Sequence, residues 1–145
     1  MKLRRRLAVL AGIFLIDRLS KYWAIHWLMP KASTPLLPFF HFTYVENTGA
    51  AFGIGFQRNG FFIALTIALL GVLLYLQKAW ADKNSWIQIG LLLVTGGALG
   101  NLYDRLAYGH VIDFLDFRIW PVFNAADSCV TIGALCLAWG MRGEK

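Results

Sequence analysis

The chain has eight acidic side chains in 145 residues, and the informative ones lie inside or beside apolar runs. Asn124, Asp127, Ser128 and Thr131 recur at i, i+3, i+4 and i+7, while Val130, Ile132, Leu135 and Leu137 fill much of the rest. That spacing draws one polar stripe along an otherwise apolar helix. Pro121 predicts a helix start just beyond it, with Asn124 as N-cap and Asp127 in the first turn, where the helix dipole favours a carboxylate. Asp113 is embedded in apolar residues in Gly109-His-Val-Ile-Asp113-Phe-Leu-Asp116-Phe-Arg118, whose alternation predicts a short extended segment. On a strand Asp113 points with Val111 and Leu115, whereas Asp116 points the other way with Arg118 and is the expected solvated carboxylate. Two carboxylates held close together in a low-dielectric site cannot easily both ionise, so one keeps a proton while the other acts as a base. Such a pair can activate water and assist a leaving group, and the assignment of the proton is a property of the pair.

Other polar residues stand where they could support that pair. Asp17 and Lys21 are spaced i, i+4, which allows an ion pair on one helix face; this is either structural glue between helices or direct chemistry. Asn101, Asp104 and Arg105 lie a turn apart, and the same alternatives apply to Asp104 with Arg105. Gly96, Gly97 and Gly100 precede them and allow a neighbouring helix to approach closely. A strand-like start at Tyr44-Val-Glu46-Asn47 runs into a glycine-rich turn through Gly49, Gly53 and Gly55. This piece either presents backbone groups to an extended peptide or is a tight loop whose glycines satisfy geometry alone.

The elements that position these residues belong in lipid. With 58% hydrophobic residues, 15% charged residues and a mean hydropathy of +0.55, the composition lies outside that of an ordinary soluble domain. Four runs, at residues 7–28, 61–77, 86–102 and 123–140, approach the ~20 residues of a bilayer crossing. They predict one integral-membrane domain of four helices over residues 1–145, with a small β-rich element built from the outer loops. Trp23, Trp27, Trp80, Trp86, Trp120 and Trp139 all fall toward the ends of these runs, as interfacial residues do. If the helices alternate, Lys2, Arg4, Arg5, Arg6, Lys78, Lys83, Arg142 and Lys145 share one side. The other side receives Lys31, Arg58, Arg105 and Arg118, so both termini are expected in the cytoplasm. The net charge of +6 is then an orientation signal and calls for no nucleic-acid partner.

Several chemistries are disfavoured. Asp17, Arg18 and Lys21 interrupt the first apolar run and no small-residue cleavage site follows, so that helix is expected to be retained. Cys129 and Cys136 lie two turns apart on one helix, too far for a mutual disulfide. His26, His41 and His110 lack metal-ligand spacing, and neither a metal nor another cofactor is expected. No Gly-Lys-Ser/Thr ending marks a phosphate loop. Ser20 and Lys21 are adjacent and point to different helix faces, which disfavours a serine/lysine peptidase. A small transporter also accommodates buried aspartates and glycine-rich helices, and an assembly factor accommodates purely structural ones.

Taken together, Asn47-Thr-Gly-Ala-Ala-Phe-Gly53, Gly100-Asn101-Leu-Tyr-Asp104-Arg105, Val111-Ile-Asp113-Phe and Phe123-Asn124-Ala-Ala-Asp127-Ser resemble, in order, the sequence blocks of lipoprotein signal peptidases. Asp17 through Lys21 resembles that family's first-helix block, so the similarity spans most of the chain. The resemblance implies an aspartic peptidase of the bacterial inner membrane, with its site near the extracytoplasmic face. Its substrates would be diacylglyceryl-modified prolipoproteins, cut on the N-terminal side of the lipidated cysteine by a monomer surrounded by membrane lipid. It carries the catalytic pair onto Asp113 and Asp127, and supporting roles onto Asp17, Lys21, Asn47, Gly49, Asn101, Arg105 and Asn124. Asn124 and Arg105 are the expected donors to a developing oxyanion.

Overall fold

The computed structural model describes residues 3–49 and 59–142. Four long helices, α1 (Leu3–Trp23), α2 (Asn59–Ala79), α3 (Ser85–Ala107) and α4 (Ala125–Arg142), run alongside a small sheet. The sheet comprises β1 (Ser33–Leu37), β2 (Phe40–Asn47) and β3 (Val111–Asp116), antiparallel in the order β1-β2-β3. Beyond Trp23 the first helix continues as a wider π turn over Ala24–Leu28 and a tight 3-10 turn over Met29–Lys31. Helix α3 continues through Asn101, Asp104 and Arg105, beyond the predicted end at residue 102. The polar residues there face a protein interior, so they end the apolar pattern without ending the helix.

Two of the helices, α2 and α3, are long and apolar enough to cross a membrane. They are opposites in packing. Among the residues of α2 only Leu73 and Gln77 are buried, and Phe61, Leu65, Ile67, Leu69, Val72 and Leu74 are exposed. Helix α3 is enclosed by its neighbours, and its glycines explain how. A Cβ added at Gly90 would sit 2.7 Å from the Gly133 carbonyl oxygen, and one at Gly133 would sit 2.8 Å from that of Gly90. The α3 and α4 backbones therefore touch, the close approach that small residues permit between helices. On the side facing α1, a Cβ at Gly96 would meet Ile13 and one at Gly100 would meet the Asp17 carboxylate. The glycines expected to admit a neighbouring helix thus admit two.

Hydrogen bonds fix which ends meet. Arg6 of α1 reaches the Gln77 carbonyl and Gln88, and Asn84, the N-cap of α3, reaches the Gly140 carbonyl of α4. Arg4, Arg5, Arg6, Lys78, Lys83 and Arg142 consequently belong to one end of the bundle. At this end Leu73, Ile87, Leu91 and Val94 form an apolar core. At the other end Ala24 and Leu28 pack on Ile112 and Phe114 of β3, with Trp23 and Phe42 against them. The sheet is thereby seated on the π turn of the first helix.

The register of the sheet sets what β3 presents. Phe42 pairs with Leu115 and Val45 with Asp113, so two residues of β2 oppose one of β3 in a bulge. Beyond Asp116 the chain returns, and Phe123 pairs with Leu115, which delivers the start of α4 beside β3. Strand β1 was not legible in advance: Ser33-Thr-Pro-Leu-Leu carries a proline and no alternation, as suits an edge strand.

Candidate active site

Asp113 and Asp127 line one cavity of about 260 Å³, together with Asn47, Asn101, Arg105 and apolar residues including Val111, Phe123 and Val130. Each carboxylate arrives on a different element. Asp113 is carried by β3, and its oxygens accept from the Asn124 amide at 2.6 Å and the Asn47 amide at 2.9 Å. Asp127 sits in the first turn of α4 and accepts from the Asn101 amide at 2.7 Å and the Asn124 backbone N–H at 3.3 Å. Asn124 caps α4 as expected, its side-chain oxygen accepting the Asp127 N–H at 2.9 Å. The two bonds between Asn124 and Asp127 form a reciprocal box that fixes the helix start and aims the carboxylate at once.

Asn124 is also the link between the two acids. Its amide nitrogen donates to Asp113 and, at 3.1 Å, to the Asn101 oxygen. Both N–H groups are thus committed, which corrects the expectation that Asn124 donates to an oxyanion. Arg105 lines the cavity and places one N–H on the Gly49 carbonyl at 3.2 Å. Gly49 in turn donates its N–H to the Asn47 side chain at 3.0 Å, closing an Asx turn that holds Asn47 against Asp113. Gly53 and Gly55 lie outside the described residues.

Electrostatically Asp113 is poised for proton transfer. Burial, and then the neighbouring Asp127, push its pKa up from 3.8 to about 7, against the opposing hydrogen bonds from Asn47 and Asn124 and the charge of Lys21. Such a carboxyl exchanges its proton near neutral pH. Asp116 contrasts with it and overturns its own expectation. It is only 4% exposed, held by the Thr43 hydroxyl at 2.7 Å and the Arg118 backbone N–H at 2.8 Å. Burial opposes its ionisation, but the bonds from Thr43 and Arg118 outweigh that and lower its pKa. It is a structural tie between β2 and the turn after β3.

Behind the pair lies a buried ionic cluster. Asp17 and Lys21 meet at 3.1 Å, as their spacing predicts, and Lys21 also contacts Asp104 at 2.7 Å. Arg18 completes the cluster with Asp17 at 2.5 Å and Asp104 at 2.6 Å. Two acids and two bases balance, as buried charges must. Asp104 and Arg105 therefore part company: Asp104 joins this cluster, and Arg105 faces the cavity. Asp104 also accepts the Ile112 backbone N–H at 3.1 Å, one residue from Asp113. Of the two alternatives for Asp104 the structure shows the ion-pair one, and Arg18 is a member of the cluster that the sequence signals only as a charge within an apolar helix. Ser20 bonds the Asp17 carbonyl at 3.0 Å instead of approaching Lys21.

Comparisons with known proteins show the chain's family. Residues 9–142 match the family Peptidase_A8, signal peptidase (SPase) II. The lipoprotein signal peptidase of Moorella thermoacetica is 42% identical over 88% of this chain and 85% of its own length. That of Thermodesulfovibrio yellowstonii is 44% identical over 88% and 87%, and that of Halothermothrix orenii 45% over 86% of each. A bacterial membrane enzyme solved by the in meso method superposes with a TM-score of 0.90 at 31% identity, covering 98% of this chain and 90% of that one. A second, at 32% identity, gives 0.85 over 96% and 93%. A mostly helical chain with two strongly apolar helices, matched over nearly its whole length by these enzymes, is a membrane peptidase and belongs to the signal peptidase II family.

Proposed function

We propose that this chain is an intramembrane aspartic endopeptidase that removes the signal peptide from diacylglyceryl-modified prolipoproteins, cutting N-terminal to the lipidated cysteine, with Asp113 and Asp127 as its catalytic pair. The observation that carries this reading is two carboxylates lining one cavity, each held by two N–H donors. The substrate class follows from the family's name and its relatives.

In the reaction the pair holds one proton. The ionised carboxylate takes a proton from water as the oxygen attacks the scissile carbonyl, and the charge that develops on the carbonyl oxygen is met by Arg105. The protonated carboxyl then gives its proton to the departing amide nitrogen as the C–N bond breaks, and the pair is left with one proton again. Asn47, Asn101 and Asn124 do not exchange protons; they hold both acids in place while charge moves between them.

All four helices are assigned as spans in a single domain, including α1, whose Asp17 and Lys21 are buried, and α4, whose Asp127 lines the cavity. The basic end of the bundle, with Arg4 to Arg6, Lys78, Lys83 and Arg142, lies in the cytoplasm with both termini. The sheet and the cavity then lie near the extracytoplasmic face of the bacterial inner membrane, where an exported lipid-anchored peptide is presented. The lipid anchor contributes roughly 0.8 kcal/mol per buried CH₂, so substrate reaches the cavity by diffusion in the plane of the membrane. The enzyme acts as a monomer and needs no nucleic acid or cofactor.

The test is cleavage of a purified diacylglyceryl-prolipoprotein by the wild-type chain, Asp113→Asn and Asp127→Asn, after all three are confirmed folded. The wild type cuts and both variants fail. Cleavage by either variant removes that aspartate from the chemistry, and a folded but inactive wild type turns the reading toward transport.

A further inference from the structure

The amide of Asn101 meets Asp127 with its nitrogen, and something must hold it in that orientation. An asparagine can turn its amide over, exchanging an N–H donor for an oxygen acceptor at the same place. Here the oxygen end is claimed from two sides: it accepts from the Lys21 ammonium at 3.0 Å and from the Asn124 amide at 3.1 Å. Lys21 has donors only, so turning the Asn101 amide over would set its N–H groups against an ammonium. Lys21 is itself immobilised, 1% exposed and clasped by Asp17 and Asp104.

We propose that Lys21 is a positioning residue for the peptidase chemistry: its ammonium locks the Asn101 amide so that Asp127 always faces an N–H donor, which holds Asp127 as the ionised, water-activating member of the pair. The proposal rests on the assignment of Asp113 and Asp127 as the catalytic pair. Lys21 does not line the cavity between the two acids and instead floors a separate groove with Phe14, Tyr22 and Tyr103. It acts through Asn101 and touches no substrate.

The charged groups around this chain of bonds are few among the described residues. Asp17 and Arg18 of α1 and Asp104 of α3 surround Lys21, with Tyr22, His26, Tyr103 and Tyr108 along the adjoining groove. At the acids, α3 adds Arg105, β3 adds Asp113 and β2 adds the neutral Asn47, whereas Glu46 lies 3.8 Å from His110 instead. Lys21 is thus the cation that reaches Asp127 through one intervening amide.

Replacing Lys21 alone would leave two buried acids facing a single arginine, so the informative variant keeps the charges balanced. Asp17→Asn/Lys21→Met leaves Arg18 paired with Asp104, and Asp17→Asn alone serves as its reference. In the double variant, confirmed folded by its thermal transition, the acidic limb of the kcat/KM profile is expected to move up by about one pH unit, a tenfold loss on that limb. The loss falls on kcat with KM held, because Lys21 lies outside the substrate cavity. If the methionine does not fold, Asp17→Asn/Lys21→Gln removes the charge while returning a donor to Asn101, and the same upward movement of the limb is expected with a smaller fall in kcat. A folded double variant whose acidic limb and kcat coincide with those of Asp17→Asn overturns the proposal. That outcome is distinct from failure of the catalytic assignment, which is read from cleavage by Asp113→Asn or Asp127→Asn.

Discussion

The two ends of the bundle solve the burial of polar groups in different ways. At the end carrying α1's basic start, the buried polar contacts are neutral or shared with a chain end: Gln77 donates to the Thr95 hydroxyl at 2.8 Å, and Gln88 accepts from Arg6 at 2.8 Å. These sit over an apolar core of Leu73, Ile87, Leu91 and Val94. At the sheet end, Asp17, Arg18, Lys21, Asp104, Asp113 and Asp127 are gathered with three asparagines between them. Packing specifies the first end, and charge specifies the second. Charge is the more expensive device in a lipid-facing protein, and its concentration at one end is where the proposed catalytic pair lies.

The largest effect expected from breaking that contrast is at the acids. Asp113→Asn and Asp127→Asn should each reduce turnover more than roughly a thousandfold in the prolipoprotein cleavage assay, the scale of losing an acid or base. Both should retain a folded thermal transition, because the asparagine replaces a buried charge by a neutral group. A variant in the apolar core of the other end that matched this loss without unfolding would erase the distinction between the ends.

The next effect is steric and joins the two ends through the α3–α4 seam. A Cβ at Gly97 would collide with the Ala126 carbonyl oxygen and with Val130, whereas one at Gly71 on α2 meets nothing within 4 Å. Gly97→Val should therefore cost about 1–3 kcal/mol or more through overpacking. Because Ala126 precedes Asp127, cleavage should fall as well. Gly71→Val faces outward and should change thermal stability by less than about 0.5 kcal/mol. Thermal unfolding in one detergent, with cleavage measured on the same samples, compares the pair.

A smaller and pH-dependent effect comes from Asp113. Its folded pKa of about 7 lies above the ordinary 3.8, so between those values the folded chain holds a proton that the unfolded chain releases. The stability this contributes is present at low pH and is lost as pH rises from about 4 to about 7. Asp116, held ionised by Thr43 and Arg118, works in the opposite sense and at lower pH, because its pKa is lowered. The thermal midpoint of Asp113→Asn should therefore fall less than that of the wild type across the upper part of this window. Equal slopes would mean that Asp113 titrates normally.

What was legible in the sequence divides along the same line. Local relations were readable: the Asn124 cap over Asp127, the Asp17–Lys21 ion pair and the extended segment around Asp113 all depend on spacings of four residues or fewer, or on alternation. Long-range commitments were not. Nothing in the spacing revealed that the Asn124 amide is shared between Asp113 and Asn101, or that Thr43 on another strand would reach Asp116. The bulge between Phe42 and Val45 added to this, since it shifts the register of β2 against β3. Helix α3 outruns its apolar pattern at Asn101 to Arg105, because a hydropathy pattern does not distinguish a polar residue facing protein from one facing water.

The smallest expected effect on cleavage is the sharpest test of whether the end with the apolar core is only scaffold. Gln77 and Thr95 are each other's side-chain partners, and Thr95 also donates to the Leu91 carbonyl within its own helix. Removing the Thr95 hydroxyl strands the Gln77 amide, so Thr95→Val alone should cost roughly 1–3 kcal/mol, the penalty of a buried polar group left without its bond. Replacing both, as Gln77→Leu/Thr95→Val, removes the need for the bond and should return most of that stability with prolipoprotein cleavage unchanged. The two single variants and the double form a cycle whose coupling reads the bond directly. A double variant as stable as the wild type but inactive would show that the end with the apolar core communicates with the acids. The separation of packing from charge between the two ends would then be wrong.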